Sequence, residues 1–207
     1  MLQTRHAPAP ECVPLGPGLG LVRGRAHEIA GSARQVMALL AAARMVGPVL
    51  WLQPIWAAER LMGDGIAGFV EPGRLIFGQA RTAPELLWAA EEALRTGLVP
   101  LVVADLPGIP GLTPVRRLHL AAEAGAARGT APLMLLLTPG AGGAAGIETR
   151  WSAAPAPGWA VGGGPCWRLT RCRARMAPAA VWDMRLTAAG EVALEPVPDV
   201  AAAPESG

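Results

Sequence analysis

Residues 98–105 read Leu-Val-Pro-Leu-Val-Val-Ala-Asp, an apolar run of strand length that stops on a carboxylate just ahead of Pro107 and Gly108. A strand without polar alternation has no solvent-facing side, so it belongs inside a sheet covered on both faces. Residues 48–52 and 132–138 repeat the pattern, and 25–30 and 74–80 are further extended candidates. Between these runs the spacing becomes helical. Ser32 is placed to cap a helix over 32–45, residues 55–62 read as a short helix closed by Gly63-Asp64-Gly65, and Thr82 with Glu85 makes a capping-box pattern. The helix after Thr82 gathers Leu86, Leu87, Ala90 and Leu94 on one face, pairs Glu91 with Arg95 and ends at Gly97; Thr113-Pro114 opens another, with Val115, Leu118, Ala122 and Gly125 inward. Apolar strands alternating with amphipathic helices define an α/β fold with a mostly parallel sheet and helices on both faces.

After this series the pattern changes. Residues 139–147 are almost all Gly and Ala and are expected to be mobile, and 148–153, 166–174, 180–186 and 191–197 lack helical spacing. They are expected to form an antiparallel C-terminal extension on one edge of the sheet. The division that follows is a disordered leader over 1–17, one domain over 18–197 (core 24–138, loop 139–147, extension 148–197) and a disordered tail over 198–207.

All 18 basic residues are Arg, since no Lys occurs in the 207 residues. The chain therefore has no P-loop lysine, no Schiff-base lysine and no lysine general base. Cys12, Cys166 and Cys172 include no C-x-x-C pair, which fits a reducing compartment, and the apolar runs are shorter than the roughly 20 residues of a membrane span. A cytoplasmic protein with no membrane partner is the expectation. His6, His27 and His119 are isolated from other metal-ligand types, and Ser32 and Ser152 lie in no G-x-S-x-G context. His119 and Glu123, one turn apart, read as a surface pair. No catalytic residue, metal or cofactor is expected.

Charge is uneven. Residues 1–149 carry 12 Arg against 11 acids, 150–185 carry 6 against 1, and 186–207 carry none against 4. If 166–175 is one continuous strand, alternation puts Trp167, Leu169, Arg171, Arg173 and Arg175 on one face, with the guanidinium groups about 7 Å apart. Trp151, Trp159 and Trp182 lie in the same basic region. Such a face suits a phosphate backbone or an acidic partner, and equally a solvated edge strand guarded by charge.

Three stretches carry a resemblance to a known family. Gly24 to Gly31 (GRAHEIAG) resembles the strand leading into the phosphate loop of RecA-like proteins, Arg74 to Gly97 (RLIFGQARTAPELLWAAEEALRTG) the elements preceding the Walker B strand, and Leu98 to Asp105 (LVPLVVAD) that strand itself. Together with TPVRRLHLAAEAG, they make the chain similar to the ImuA family over about half its length. The resemblance implies a RecA-like fold and an accessory, non-polymerase role in damage-induced translesion synthesis, with ImuB as partner and RecA as a second one. It also places Gly31, Arg34 and Asp105 at a degenerate nucleotide site: GSARQVMALLAAAR stands where a phosphate loop would have its second Gly, its Lys and its hydroxyl, and Gln53-Pro54-Ile55 where a catalytic Glu would be. The alternatives are a SulA-like inhibitor of cell division acting on FtsZ, and a protein that binds DNA directly through Arg171, Arg173 and Arg175.

Overall fold

The computed structural model describes residues 11–156, 165–175, 177–186 and 192–197. In chain order its elements are β1 (Cys12–Gly16), β2 (Leu19–Val22), β3 (Ala26–Ala30), α1 (Arg34–Ala43), β4 (Val49–Pro54), α2 (Gly63–Ala67), β5 (Leu75–Ala80), α3 (Ala83–Thr96), β6 (Leu101–Asp105), α4 (Leu112–Ala126), β7 (Leu133–Leu137), β8 (Thr149–Pro155), β9 (Cys166–Ala174), β10 (Ala180–Leu186) and β11 (Val192–Val197). Nine strands form one sheet in the order β11-β10-β9-β8-β3-β7-β6-β4-β5. From β8 to β5 every pairing is parallel, and from β8 outward to β11 every pairing is antiparallel. The last parallel strand is thus β8, which the sequence placed in the antiparallel extension. It runs beside β3 because the connection from β7 crosses over that strand.

Two cores lie on the two faces. On one, Leu133, Leu135 and Leu137 of β7 and Leu101 and Val103 of β6 meet α1 and the β1-β2 hairpin; on the other, Met134, Leu136, Val102 and Ala104 meet α3 and α4. The alternate residues of one strand serve both layers, which is why β6 and β7 contain no polar position before Asp105. A fully buried Leu or Val contributes about 1.5–3 kcal/mol, so each strand supports two cores at once. Helices α3 and α4 approach closely at Gly125, where a Cβ would stand 2.1 Å from the Leu94 carbonyl oxygen.

Several expectations need correcting. Residues 12–16, expected in a disordered leader, form β1 and pair with β2, because Val13, Leu15, Leu19 and Leu21 alternate inward and are buried. Residues 1–10, and the tail over 198–207, lie outside the described residues. The short helix falls at Gly63–Ala67 rather than over 55–62, which brings Ile66 and Val70 into the core. Helix α1 starts at Arg34 with Ala33 as its cap residue and no side-chain cap, leaving Ser32 exposed. Likewise α4 begins after Gly111, and Thr113 does not cap it. The capping box of Thr82 and Glu85 is present as expected, and Glu91 pairs with Arg95.

Candidate functional site

The carboxyl ends of parallel strands are where open α/β sheets present ligand sites. Here Gly31, Gln53, Asp105 and Thr138 stand at or just past the ends of β3, β4, β6 and β7. Gly31 has φ +91°, and a Cβ on it would lie 2.3 Å from the Ala153 carbonyl oxygen, so only glycine fits this turn. Its N–H donates to the Gly140 carbonyl (3.2 Å), and the Ala33 N–H donates to the Ala153 carbonyl (2.9 Å). These two backbone donors therefore point to the chain's own Gly/Ala loop and strand β8.

Arg34, on the first turn of α1, lies 71 residues from Asp105 in sequence and donates from Nε to its Oδ1 at 3.1 Å. Gln35 donates from Nε2 to the other oxygen at 2.9 Å, and Arg34 Nη2 reaches Glu59 Oε2 at 3.3 Å. One cation faces two carboxylates. The expected trio of Gly31, Arg34 and Asp105 is brought together, with Gln35 and Glu59 added to it. A cavity of about 220 Å³ opens beside them, bordered by Pro54, Trp56, Ala57 and Pro107. At such a site an incoming anion meets no free positive charge from this group.

A second polar centre lies beneath the Gly/Ala loop. Glu28 of β3 is fully buried, and its carboxylate accepts from Thr138 Oγ1 (2.8 Å), from the Gly143 and Ala144 N–H groups (2.8 and 3.0 Å) and from Arg150 Nε (2.5 Å). Burial pushes this carboxyl up, but Arg150 and the three other donors outweigh it and hold it below its ordinary value. The loop over 139–147, expected to be mobile, is fastened at these two peptide groups. Beside it His27, also fully buried, is lowered to about 4 by burial. Its Nε2 donates to the Val22 carbonyl, and its Nδ1 accepts from Thr149 Oγ1, which in turn accepts from Trp151 Nε1. A neutral imidazole thus joins the hairpin to β3 and β8.

His119 does not pair with Glu123. Its Nε2 faces the Gly146 carbonyl at 3.0 Å, and Glu123 is taken by Arg25.

The basic strand differs most from expectation. Trp151 lies opposite Arg171 and Arg150 opposite Arg173, so Cys172 is an extra residue and β9 is bulged there. Arg171 falls on the face of α1 with Trp167 and Leu169. Its guanidinium stacks 5.1 Å from the Trp182 ring and 5.7 Å from the Trp151 ring, and it donates to the Pro178 and Gly18 carbonyls. Arg173 follows Arg150 to the opposite face, and Arg175 borders a groove against α4. The three arginines therefore do not form one row, and Arg171 is part of the packing. Trp151 and Trp182 are buried, Trp167 packs on Phe69, and Trp159 lies outside the described residues.

No group of three or more His, Cys, Asp or Glu side chains converges among the described residues, and no helix of theirs is long and apolar enough to cross a membrane. No family model matches the chain, and no curated protein matches it.

Proposed function

We propose that the chain is a RecA-like domain with a degenerate phosphate loop, working in the cytoplasm as an ImuA-type accessory of translesion synthesis. On this reading it acts through its surfaces, by binding an ImuB-type polymerase-like protein, and not by turning over a nucleotide. The observation that carries the reading is the self-occupied strand-end turn: Gly31 and Ala33 donate to the chain's own carbonyls, and Arg34 is held by Asp105 and Glu59. A triphosphate needs converging N–H groups and uncompensated positive charge at that position. At this turn the Gly31, Ala33 and Arg34 N–H groups and the Arg34 charge are already engaged within the chain.

Support for a protein partner comes from the edge strand β5 and its neighbours. Phe77 is 49% exposed and Ile76 52%, while Trp56 and Trp88 nearby in the chain are 63% and 61% exposed. Large aromatic side chains left in water are the usual anchors of an interface. The test is co-purification of the full chain with the ImuB-type protein in the absence of ATP. A stable complex that Phe77→Asp weakens at least tenfold is expected. No complex, or one that forms only when ATP and magnesium are added, would overturn the reading.

A further inference from the structure

The sheet is covered by α3 and α4 only over its parallel half, so on that side β8, β9 and β10 present an open face. In-register pairing places Arg150, Ser152, Arg168, Thr170, Asp183 and Arg185 on it, and the bulge adds Cys172 and Arg173. Two of the cations are internally matched: Arg168 makes a paired contact with Asp183 at 2.9 and 3.2 Å, and Arg150 is held by Glu28. Arg173 and Arg185 have no ion-pair partner among the described residues, against one unpaired acid, Glu195 of β11.

This face runs into a groove of about 380 Å³ between β9 and α4, lined by Arg25, Arg116, His119, Arg175, Glu123 and Glu148. Both of its carboxylates contact Arg25. Arg116 and Arg175 are exposed and have no carboxylate partner among the described residues. From α4 across to β10 the surface therefore carries unmatched guanidinium groups.

We propose that this open face and its groove bind the phosphate backbone of a nucleic acid, with Arg116, Arg173 and Arg175 as the contacting residues. Charge complementarity selects the partner. The unmatched cations extend beyond a single pocket: Arg116 and Arg175 share the groove, while Arg173, opposite Arg150, and Arg185, opposite Cys166, lie outside it along β9, a spread that one small anion would not span. All are arginines, whose fork geometry suits phosphate oxygens. Between its charges the sheet face offers mainly small and hydroxyl side chains, Ser152, Ala154, Thr170, Cys172 and Val181, while Leu112 and Leu120 are exposed at the groove, so an acidic polypeptide is the competitor that the test has to separate. None of the described tryptophans lies on it, so the contact is with the backbone and does not use base stacking on tryptophan. The inference stands apart from the proposed accessory role and requires none of its partners.

The experiment is fluorescence anisotropy of the full chain, without any partner protein, on labelled single-stranded and duplex oligonucleotides over a salt series. Binding is expected to weaken steadily with salt, and the Arg116→Ala/Arg173→Ala/Arg175→Ala variant to lose about ten- to a hundredfold in affinity with a shallower salt slope, by about 0.7–0.9 per phosphate contact removed. An unchanged melting temperature in that variant shows that the loss is one of contact. No salt-dependent binding by the parent chain, or equal binding by the variant, overturns the proposal. So does equally strong competition by polyglutamate of matched charge, which would assign the face to an acidic polypeptide. Co-purification with ImuB is read separately, so failure of either result leaves the other interpretable.

Discussion

The arginine of the strand-end crevice and the unmatched arginines of the open face and its groove have opposite environments. Arg34 is matched by Asp105 and Glu59, as on the face itself Arg150 is by Glu28 and Arg168 by Asp183, whereas Arg116, Arg173 and Arg175 meet no carboxylate among the described residues. Arg171 belongs with the first group although it is two residues from Arg173, because it keeps the alternation of Trp167 and Leu169 and sits against two tryptophan rings, while the bulge at Cys172 turns Arg173 to the opposite face. A cation already surrounded by its own chain holds the fold together. One left in water is available to something else.

The largest effect expected from breaking this contrast is at Arg150. Arg150→Ala leaves the Glu28 carboxylate buried without its cation and is expected to cost about 3–5 kcal/mol, read as a shift of the urea midpoint. Next is the acid response. The His27 imidazole is lowered from 6.5 to about 4 in the folded chain, so the unfolded chain takes up the proton first as pH falls. The contribution is fully present above pH 6.5 and is lost as pH drops toward 4, amounting to roughly 3 kcal/mol by linkage. Urea midpoints across that window in the parent and in His27→Gln check this, since the variant loses most of the slope. Glu28, lowered as well, adds its loss only at more acid pH.

Arg171→Ala removes a guanidinium that touches two rings and two carbonyls and is expected to cost about 1–2 kcal/mol, with a change in tryptophan emission. Arg34→Ala is milder, near 1 kcal/mol, because Gln35 still donates to Asp105. The smallest effects fall at the open face: Arg173→Ala and Arg175→Ala are expected to stay within about 0.5 kcal/mol of the parent. A larger loss there would move these residues into the structural group and erase the contrast.

The alternation of layers was legible because β6 and β7 serve two cores and so contain uninterrupted apolar runs, and because Thr82 and Glu85 form their cap from neighbouring residues. The hairpin was masked by Pro14, Pro17 and Gly18, although Val13, Leu15, Leu19 and Leu21 already show a period of two. At the crevice, Gly31, Arg34 and Asp105 are named together through the resemblance to RecA-like proteins, while Glu59 lies in a segment that reads as helix. Glu28 and Arg150 are 122 residues apart, and no local spacing links them; the only hint was a single carboxylate in the buried strand AHEIA. The bulge at Cys172 depends on the register with β8, which strand β9 cannot specify by itself. Face assignments from alternation alone therefore failed at that point.

The strand-end crevice is occupied by the chain's own side chains, and the proposed role without nucleotide turnover depends on that occupancy. Isothermal titration of the purified chain with ATP and magnesium is the decisive experiment. No binding heat is expected at millimolar ATP for the parent chain; saturable binding in the micromolar range, weakened by Arg34→Ala, would refute the proposal.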